Sequence, residues 1–296
     1  MNSVIASPST RALAGREGVD INELASELGR ETIAKEDIIR KASGTPLPSS
    51  APAGAEYWNV DHSAYGIITE EPISRIAQVA AANLAAAQTL IPAVTHHDRA
   101  DMTMVERFRP SLKDEAAARG VKLTGLAFHV KALAKTLRAF PRFNASLSKD
   151  GETLLLKDYV HIGIAVDTPH GLLVPAIRDA DKKGLWALAS EIADIATRAK
   201  NRKIRPEEMG GASMSITNLG GIGGTAFTPI VNPPEVAILG ISKTEMAPVW
   251  DGQAFVPTPL VPLDLSYDHR VINGAEAARF MVHFSNLLAD PRRIII

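Results

Sequence analysis

Fourteen residues decide what this chain can fold into. Positions 42–55 read ASGTPLPSSAPAGA, uncharged and with Leu47 as the one bulky side chain. Pro, Ala, Gly and Ser in that mixture bury too little surface to fold, and the prolines keep the backbone extended. The stretch reads as an interdomain linker. The 296 residues must therefore make two folds, a small one over 3–41 and a large one over 56–296.

The small piece predicts helices at both ends. Ser7-Pro8 followed by STRALAGREG fits a cap, a first-turn proline and a short helix stopped by Gly15 or Gly18. A second helix is expected over 32–39, with Ile38 and Ile39 facing inward. A core this small is marginal without a partner. On a tether, such a piece more often binds a protein than performs chemistry.

In the large piece, helical periodicity covers roughly 72–88, 103–119, 124–139, 185–200 and 274–289. In the first of these Ile73, Ile76, Ala80 and Leu84 share one face, and Pro72 suits a first turn. Strands are expected at 160–167, 172–178, 212–218, 235–242 and 254–267, the first two joined as a hairpin by Thr168-Pro169-His170-Gly171. The elements interleave without a regular βα rhythm. That predicts an α/β domain with a mixed sheet rather than a doubly wound parallel one.

Composition removes several classes of function. With 32 Lys plus Arg against 33 Asp plus Glu, the net charge of −1 argues against nucleic-acid binding through a bulk basic field. There is no cysteine, so disulfides, thiolate metal sites and a cysteine nucleophile are excluded. Any sulfur chemistry must use sulfur brought by substrates. No run approaches the eighteen or so apolar residues of a membrane span, and Met1-Asn2-Ser3-Val4-Ile5 lacks the form of a signal peptide. A cytoplasmic location, or less readily an organelle matrix, is the expectation.

The segment richest in chemistry is Ser266-Tyr267-Asp268-His269-Arg270-Val271-Ile272-Asn273-Gly274, which closes a strand pattern and opens an amphipathic helix. A lone histidine in such a place is more often buried and bonded to backbone. The flanking sequence changes that reading. DHRVINGAEAARF resembles the His-x-x-x-Asp-Gly signature of the acyltransferase core components of 2-oxoacid dehydrogenase complexes. PISRIAQVAAANL, TLIPAVTHHDRADMT, VHIGIAVDTPHGLLVPAIRDAD and SMSITNLGGIGGTAFTPIVNPPEVAILGISK match the same family, as does the tail LLADPRRIII. VIASPSTRALAGREGVD resembles the family's peripheral subunit-binding domain, and GGTAFTPIVNPPEVAILG is most similar to the acetyltransferases of bacterial pyruvate dehydrogenase complexes.

The resemblance implies a chloramphenicol-acetyltransferase-like catalytic domain beside a small all-helical subunit-binding domain. It also implies homotrimers, joined into a larger core, that move acetyl groups between dihydrolipoamide and coenzyme A. A free thiol is mostly protonated at neutral pH, so the transfer needs a base, and histidine suits that role. The family's base maps onto His269, with Asn273 four residues on, where Asp is commoner. An amide there can still orient neighbours, although it cannot carry a negative charge. The tetrahedral oxyanion needs a donor. The family's hydroxyl maps onto Thr217, with Ser215 on the same strand face as the competing choice. Asp167 and Asn218 lie in segments that line the coenzyme site in relatives, although either residue alone is more often a turn former. A non-catalytic scaffold that keeps the fold and has lost the chemistry is the rival reading.

For the small piece, the resemblance implies docking of the 2-oxoacid decarboxylase or the dihydrolipoyl dehydrogenase, with Arg11 and then Arg16 as contacts. The family's Gly-rich loop is altered here to Ser26-Glu27-Leu28-Gly29-Arg30-Glu31-Thr32. Nothing in the chain resembles a lipoyl domain, so the lipoyl group would come from another domain or chain. Gly220-Gly221-Ile222-Gly223-Gly224 fits no phosphate-binding spacing and reads as a tight turn. His96 and His97 would point to opposite strand faces, so no metal is assigned. No nucleic-acid or membrane partner is expected. The apolar tail Ile294-Ile295-Ile296 is expected to be uncovered on a monomer and to join trimers.

Overall fold

A computed structural model describes residues 4–28, 32–43 and 60–295, and divides the chain into two compact units, Met1–Glu71 and Pro72–Ile296. The linker expected at 42–55 lies outside the described residues, apart from Ala42 and Ser43. Within the first unit, α1 (Pro8–Glu17) starts where Ser7 Oγ accepts from Thr10 N, and stops at Gly18 in the left-handed region. α2 (Ile21–Leu28) was not legible in the sequence, whereas α3 (Lys35–Ala42) overlaps the second expected helix but starts three residues later, after Thr32 bridges to Ile5. Leu24, Leu28, Ile33 and Ile38 form the small core. Ile39 does not join it and lies exposed, because consecutive helical residues point about 100° apart. Lys41 Nζ ties α3 to Glu27 of α2 at 2.5 Å.

The second unit begins with α4 (Arg75–Leu90), capped by Ser74 rather than started at Pro72. β1 (Ala93–Asp101) follows. The expected helix at 103–119 is two, α5 (Thr103–Ser111) and α6 (Lys113–Ala118), which part just after Pro110. A proline ring and its missing N–H break the turn there. α7 (Gly125–Ala139) precedes a small hairpin of β2 (Ala145–Leu147) and β3 (Leu154–Leu156). The expected hairpin exists but is shorter. β4 (Ile162–Ile164) pairs antiparallel with β5 (Ala176–Ile177), and a Val166–Leu173 bridge extends it. α8 (Leu185–Lys200), β6 (Met214–Asn218) and β7 (Ala237–Ile241) come next. They are followed by β8 (Glu245–Trp250), β9 (Phe255–Asp268), α9 (Gly274–Ala289) and α10 (Arg292–Ile295).

The seven-stranded sheet runs β1-β9-β7-β6-β4-β5, with β8 on the first half of β9. β4, β6 and β7 are parallel neighbours and the remaining pairs antiparallel, so the sheet is mixed. One face is apolar: Met214, Ile216, Leu239, Leu263, Leu265 and Tyr267 share a core with Phe128, Leu133, Phe280 and Phe284 of α7 and α9. Phe143 stacks on Phe280 at 4.1 Å between ring centres. Alternation puts Ser215, Thr217, Asp264, Ser266 and Asp268 on the other face.

Two expectations about apolar surface change. Ile73, Ile76 and Leu84 are exposed, and Ala87 is the buried residue of α4, so this unit does not cover the predicted stripe. Ile294, expected to be uncovered, is buried in the unit's own core, while Ile295 is exposed. Ile296 lies outside the described residues.

Candidate active site

β9 is buried from Val261 to Asp268 because it is central, with β1 on one side and β7 on the other. The chain then turns, and His269 is the first exposed residue after the strand. Its backbone N–H donates to Pro92 O at 3.1 Å, and its ring lies 5.8 Å from that of Tyr267. Asp268, 3% exposed, accepts from the Arg270 backbone N–H at 3.0 Å and from its guanidinium at 2.7–3.2 Å. The Asp268 carbonyl takes the N–H groups of Val271 and Ile272. His269 thus projects from a turn clamped on both sides.

Asn273 caps α9, its Oδ1 accepting from Glu276 N at 2.9 Å. With the oxygen engaged, the two amide hydrogens are the donors left for a ligand.

Thr217 is half-buried near the end of β6. Ser215 is not equivalent to it. It is 1% exposed and its Oγ donates to Glu235 at 2.9 Å, so it is not presented to a ligand in this chain. Asn218 is exposed and forms the turn, accepting from Gly220 N at 2.8 Å. Ile222 N and Gly223 N both donate to Leu219 O, the tight turn expected of the glycine run. Asp167 is exposed in the loop that closes the β4–β5 hairpin.

One chain does not bring these residues together. Thr217 pairs with Gly240, and Gly240 with Asp264, five residues before His269. That places Thr217 about 16 Å along the strand direction from His269, and two strands across. His97 belongs to the same row. It pairs with Asp264 in register, and its Nδ1 lies 2.6 Å from the buried carboxylate beside a cavity of about 370 Å³. His96 occupies the opposite face.

Two features escaped the sequence reading. The Asp268–Arg270 clamp was visible as letters, but not as the support of the histidine between them. Glu235, in NPPEVAILG, gave no signal, because an acid between proline and a buried strand reads as a strand boundary.

In the small unit, Arg11 and Arg16 are both exposed on α1. Arg11 donates to Val4 O at 2.5 Å. Five residues apart, the two point about 140° from each other around the helix axis. They do not form one patch.

Residues 66–296 match the family model of the 2-oxoacid dehydrogenases acyltransferase catalytic domain. The chain belongs to this family. Among curated relatives, the chain is 48% identical to the dihydrolipoyllysine-residue acetyltransferase component of the Pseudomonas aeruginosa pyruvate dehydrogenase complex. That match covers 99% of the chain and 55% of the relative. The Azotobacter vinelandii counterpart is also 48% identical, over 99% of the chain and 47% of the relative. The chain therefore spans about half the length of these curated relatives. Its fold is that of a solved Azotobacter vinelandii dihydrolipoamide acetyltransferase: TM-score 0.79 and 50% identity, over 85% of this chain and 99% of that one. In that enzyme a serine, a histidine and an asparagine have been investigated for their role in the catalytic mechanism. The solved cubic core of the pyruvate dehydrogenase multienzyme complex matches with TM-score 0.79 and 51% identity, again over 85% and 99%.

Proposed function

We propose that this chain transfers an acetyl group between dihydrolipoamide and coenzyme A within the core of a pyruvate dehydrogenase complex. The observation that carries the reading is a spacing. In the Azotobacter enzyme the serine stands fifty-two residues before the histidine and the asparagine four after it. Here the same spacing falls on Thr217, His269 and Asn273. The hydroxyl is kept although the residue type changes.

The proposed chemistry follows from the groups. His269 takes the proton of the coenzyme A thiol as its sulfur attacks the acetyl carbonyl carbon. The carbonyl oxygen gains the charge and accepts a hydrogen bond from Thr217 Oγ1. Collapse of the intermediate breaks the bond to the lipoyl sulfur, which takes the proton back from the imidazolium. Both sulfurs come from substrates, in keeping with a chain that has no cysteine. The lipoyl group would be supplied by another domain or chain. No protein metal is needed.

Because one chain separates Thr217 from His269, the reading places each reacting centre between two copies, within a homotrimer that builds a larger core. The exposed stripe of Ile73, Ile76 and Leu84 supports a covering copy. So does a cavity of about 520 Å³ between Phe108, Leu112, Trp186, Ile294 and Ile295. The small unit would dock the decarboxylase or the dihydrolipoyl dehydrogenase, with Arg11 ahead of Arg16. Titrating each companion onto the full chain and onto a version starting at Glu56 tests that role, and equal binding by both versions refutes it.

The test of the function is acetyl-coenzyme A with free dihydrolipoamide, compared with a small alcohol acceptor. Transfer to the dithiol and not to the alcohol is expected. A folded oligomer that transfers to neither is a scaffold, and a light-scattering mass of one chain would exclude the shared site.

A further inference from the structure

Glu235 is the buried acid that the proposed reaction does not use. It stands just before β7, is 5% exposed, and its Oε1 accepts from Ser215 Oγ at 2.9 Å and from Asn232 Nδ2 at 3.0 Å. Its Oε2 is buried with no hydrogen-bond partner among the described residues. Leaving half a carboxylate unsatisfied in the interior costs free energy, so the arrangement calls for a return elsewhere.

Its neighbours show where that return lies. Ser215 precedes Thr217 by two residues on the same face of β6. The space for the Ser215–Glu235 bond exists because β4 carries Gly163 opposite Ser215, where a Cβ would collide with Ser215 Oγ. On the other side, the residue next to Glu235 holds the second half of the machinery: Val236 O accepts from Asp268 N at 2.8 Å, and Asp268 begins the turn that presents His269. Glu235 thus touches the strand of the hydroxyl and adjoins the anchor of the base.

We infer that Glu235 is a positioning residue, which sets the strand of Thr217 through Ser215 and the turn of His269 through the Val236–Asp268 bond. The inference rests on the proposed acetyl transfer. The ionised form is the one its surroundings serve. Oε1 receives two donors, and the charged group acting on the carboxylate is Lys157, from the segment between β3 and β4. Ser215 from β6 and Asn232 from the loop before β7 are its other polar neighbours. Burial nevertheless pushes the acid up to about 7. Loss of positioning by protonation therefore falls near neutral pH.

The experiment compares wild type, Glu235→Ala and Glu235→Gln in the acetyl-coenzyme A and dihydrolipoamide assay across pH 5.5–8.5, a window of about 1.5 units either side of that value. Glu235→Ala should lower kcat about tenfold or more with both KM values within about twofold. Glu235→Gln is the neutral isostere of the protonated acid and should lower kcat at pH 8.5 by about the same factor as the alanine variant. The advantage of wild type over Glu235→Gln should shrink towards one as pH falls to 5.5 and the carboxylate takes up its proton. Glu235→Ala with kcat within about twofold of wild type, or a ratio of wild type to Glu235→Gln that does not change with pH, overturns the inference. If the alanine variant does not fold, the pH dependence of the glutamine ratio decides. A wild-type chain with no transfer activity overturns the functional reading and this one with it; an active wild type with unaltered variants overturns this one alone.

Discussion

Asp268 grips Arg270 through both the backbone N–H and the guanidinium, and the residue enclosed between them is His269. The carboxylate is buried, with few other ways to satisfy its oxygens, so the bond fixes the turn more firmly than a surface ion pair would. Asp268→Asn keeps one acceptor and loses the charge. A displacement of the base by about 1 Å costs on the order of a hundredfold in rate. We expect kcat to fall by about that factor, with unchanged oligomer mass. A kcat within about threefold of wild type would mean that the turn holds His269 without this pair.

Thr217→Ala should cost about a hundred- to a thousandfold in turnover, the range for loss of a principal oxyanion donor. His269→Ala should be at least as damaging. The register then makes a sharper prediction. Mixed oligomers of Thr217→Ala and His269→Ala chains should regain activity, because some interfaces join an intact Thr217 to an intact His269. If mixing restores nothing, the two residues do not act across an interface.

Asn273→Asp should be mild. The carboxylate still caps α9 and its charge suits a helix N-terminus, so stability should hold or rise slightly. Activity within about fivefold of wild type is expected, because the lost amide donor is one contact of several. Asn273→Ala, by contrast, removes the cap and should cost about 1 kcal/mol in unfolding free energy. Abolished activity in the aspartate variant would show that the amide hydrogens are essential.

His129 predicts a pH dependence of stability. It is buried on α7, donates from Nδ1 to Gly125 O at 2.7 Å, and burial holds its pKa down to about 4 against an ordinary value of 6.5. Between those values the unfolded chain binds a proton that the folded chain refuses. Stability is therefore complete above pH 6.5 and falls as pH drops towards 4, by about 3 kcal/mol in all. His129→Gln should flatten the unfolding midpoint over that window. An unchanged slope would place the acid sensitivity elsewhere.

The elements that the sequence revealed are those whose pattern is completed inside one chain. α7, α8 and α9 bury one face each on the sheet, and the periodicity of 124–139, 185–200 and 274–289 marks them to within a residue or two. β1 was missed because VTHHDRAD lacks a clean alternation: the face on the sheet's hydrophilic side is polar and mostly exposed, and the other sets half-buried His96 and Asp98 between Val94 and Ala100. β8 was missed because its residues are mostly exposed and Pro248 interrupts it. α4 was found for most of its residues, but its stripe of Ile73, Ile76 and Leu84 is left exposed by the described residues. At the site, the motif gave His269, Thr217 and Asn273 their places. It could not show that Ser215 belongs to Glu235, because that bond joins residues twenty positions apart. Nor could it show that Thr217 and His269 stand at different ends of one sheet.

That separation governs how damage would spread through an assembly. Suppose each centre draws its hydroxyl from one copy and its imidazole from the next. A copy lacking only His269 then disables one centre and leaves its threonine useful to the other. A copy lacking both residues disables two. In a population where half the copies are singly defective, half the centres survive; where half are doubly defective, only a quarter do. Two lesions placed in one chain would therefore be dominant in a way that neither lesion is alone.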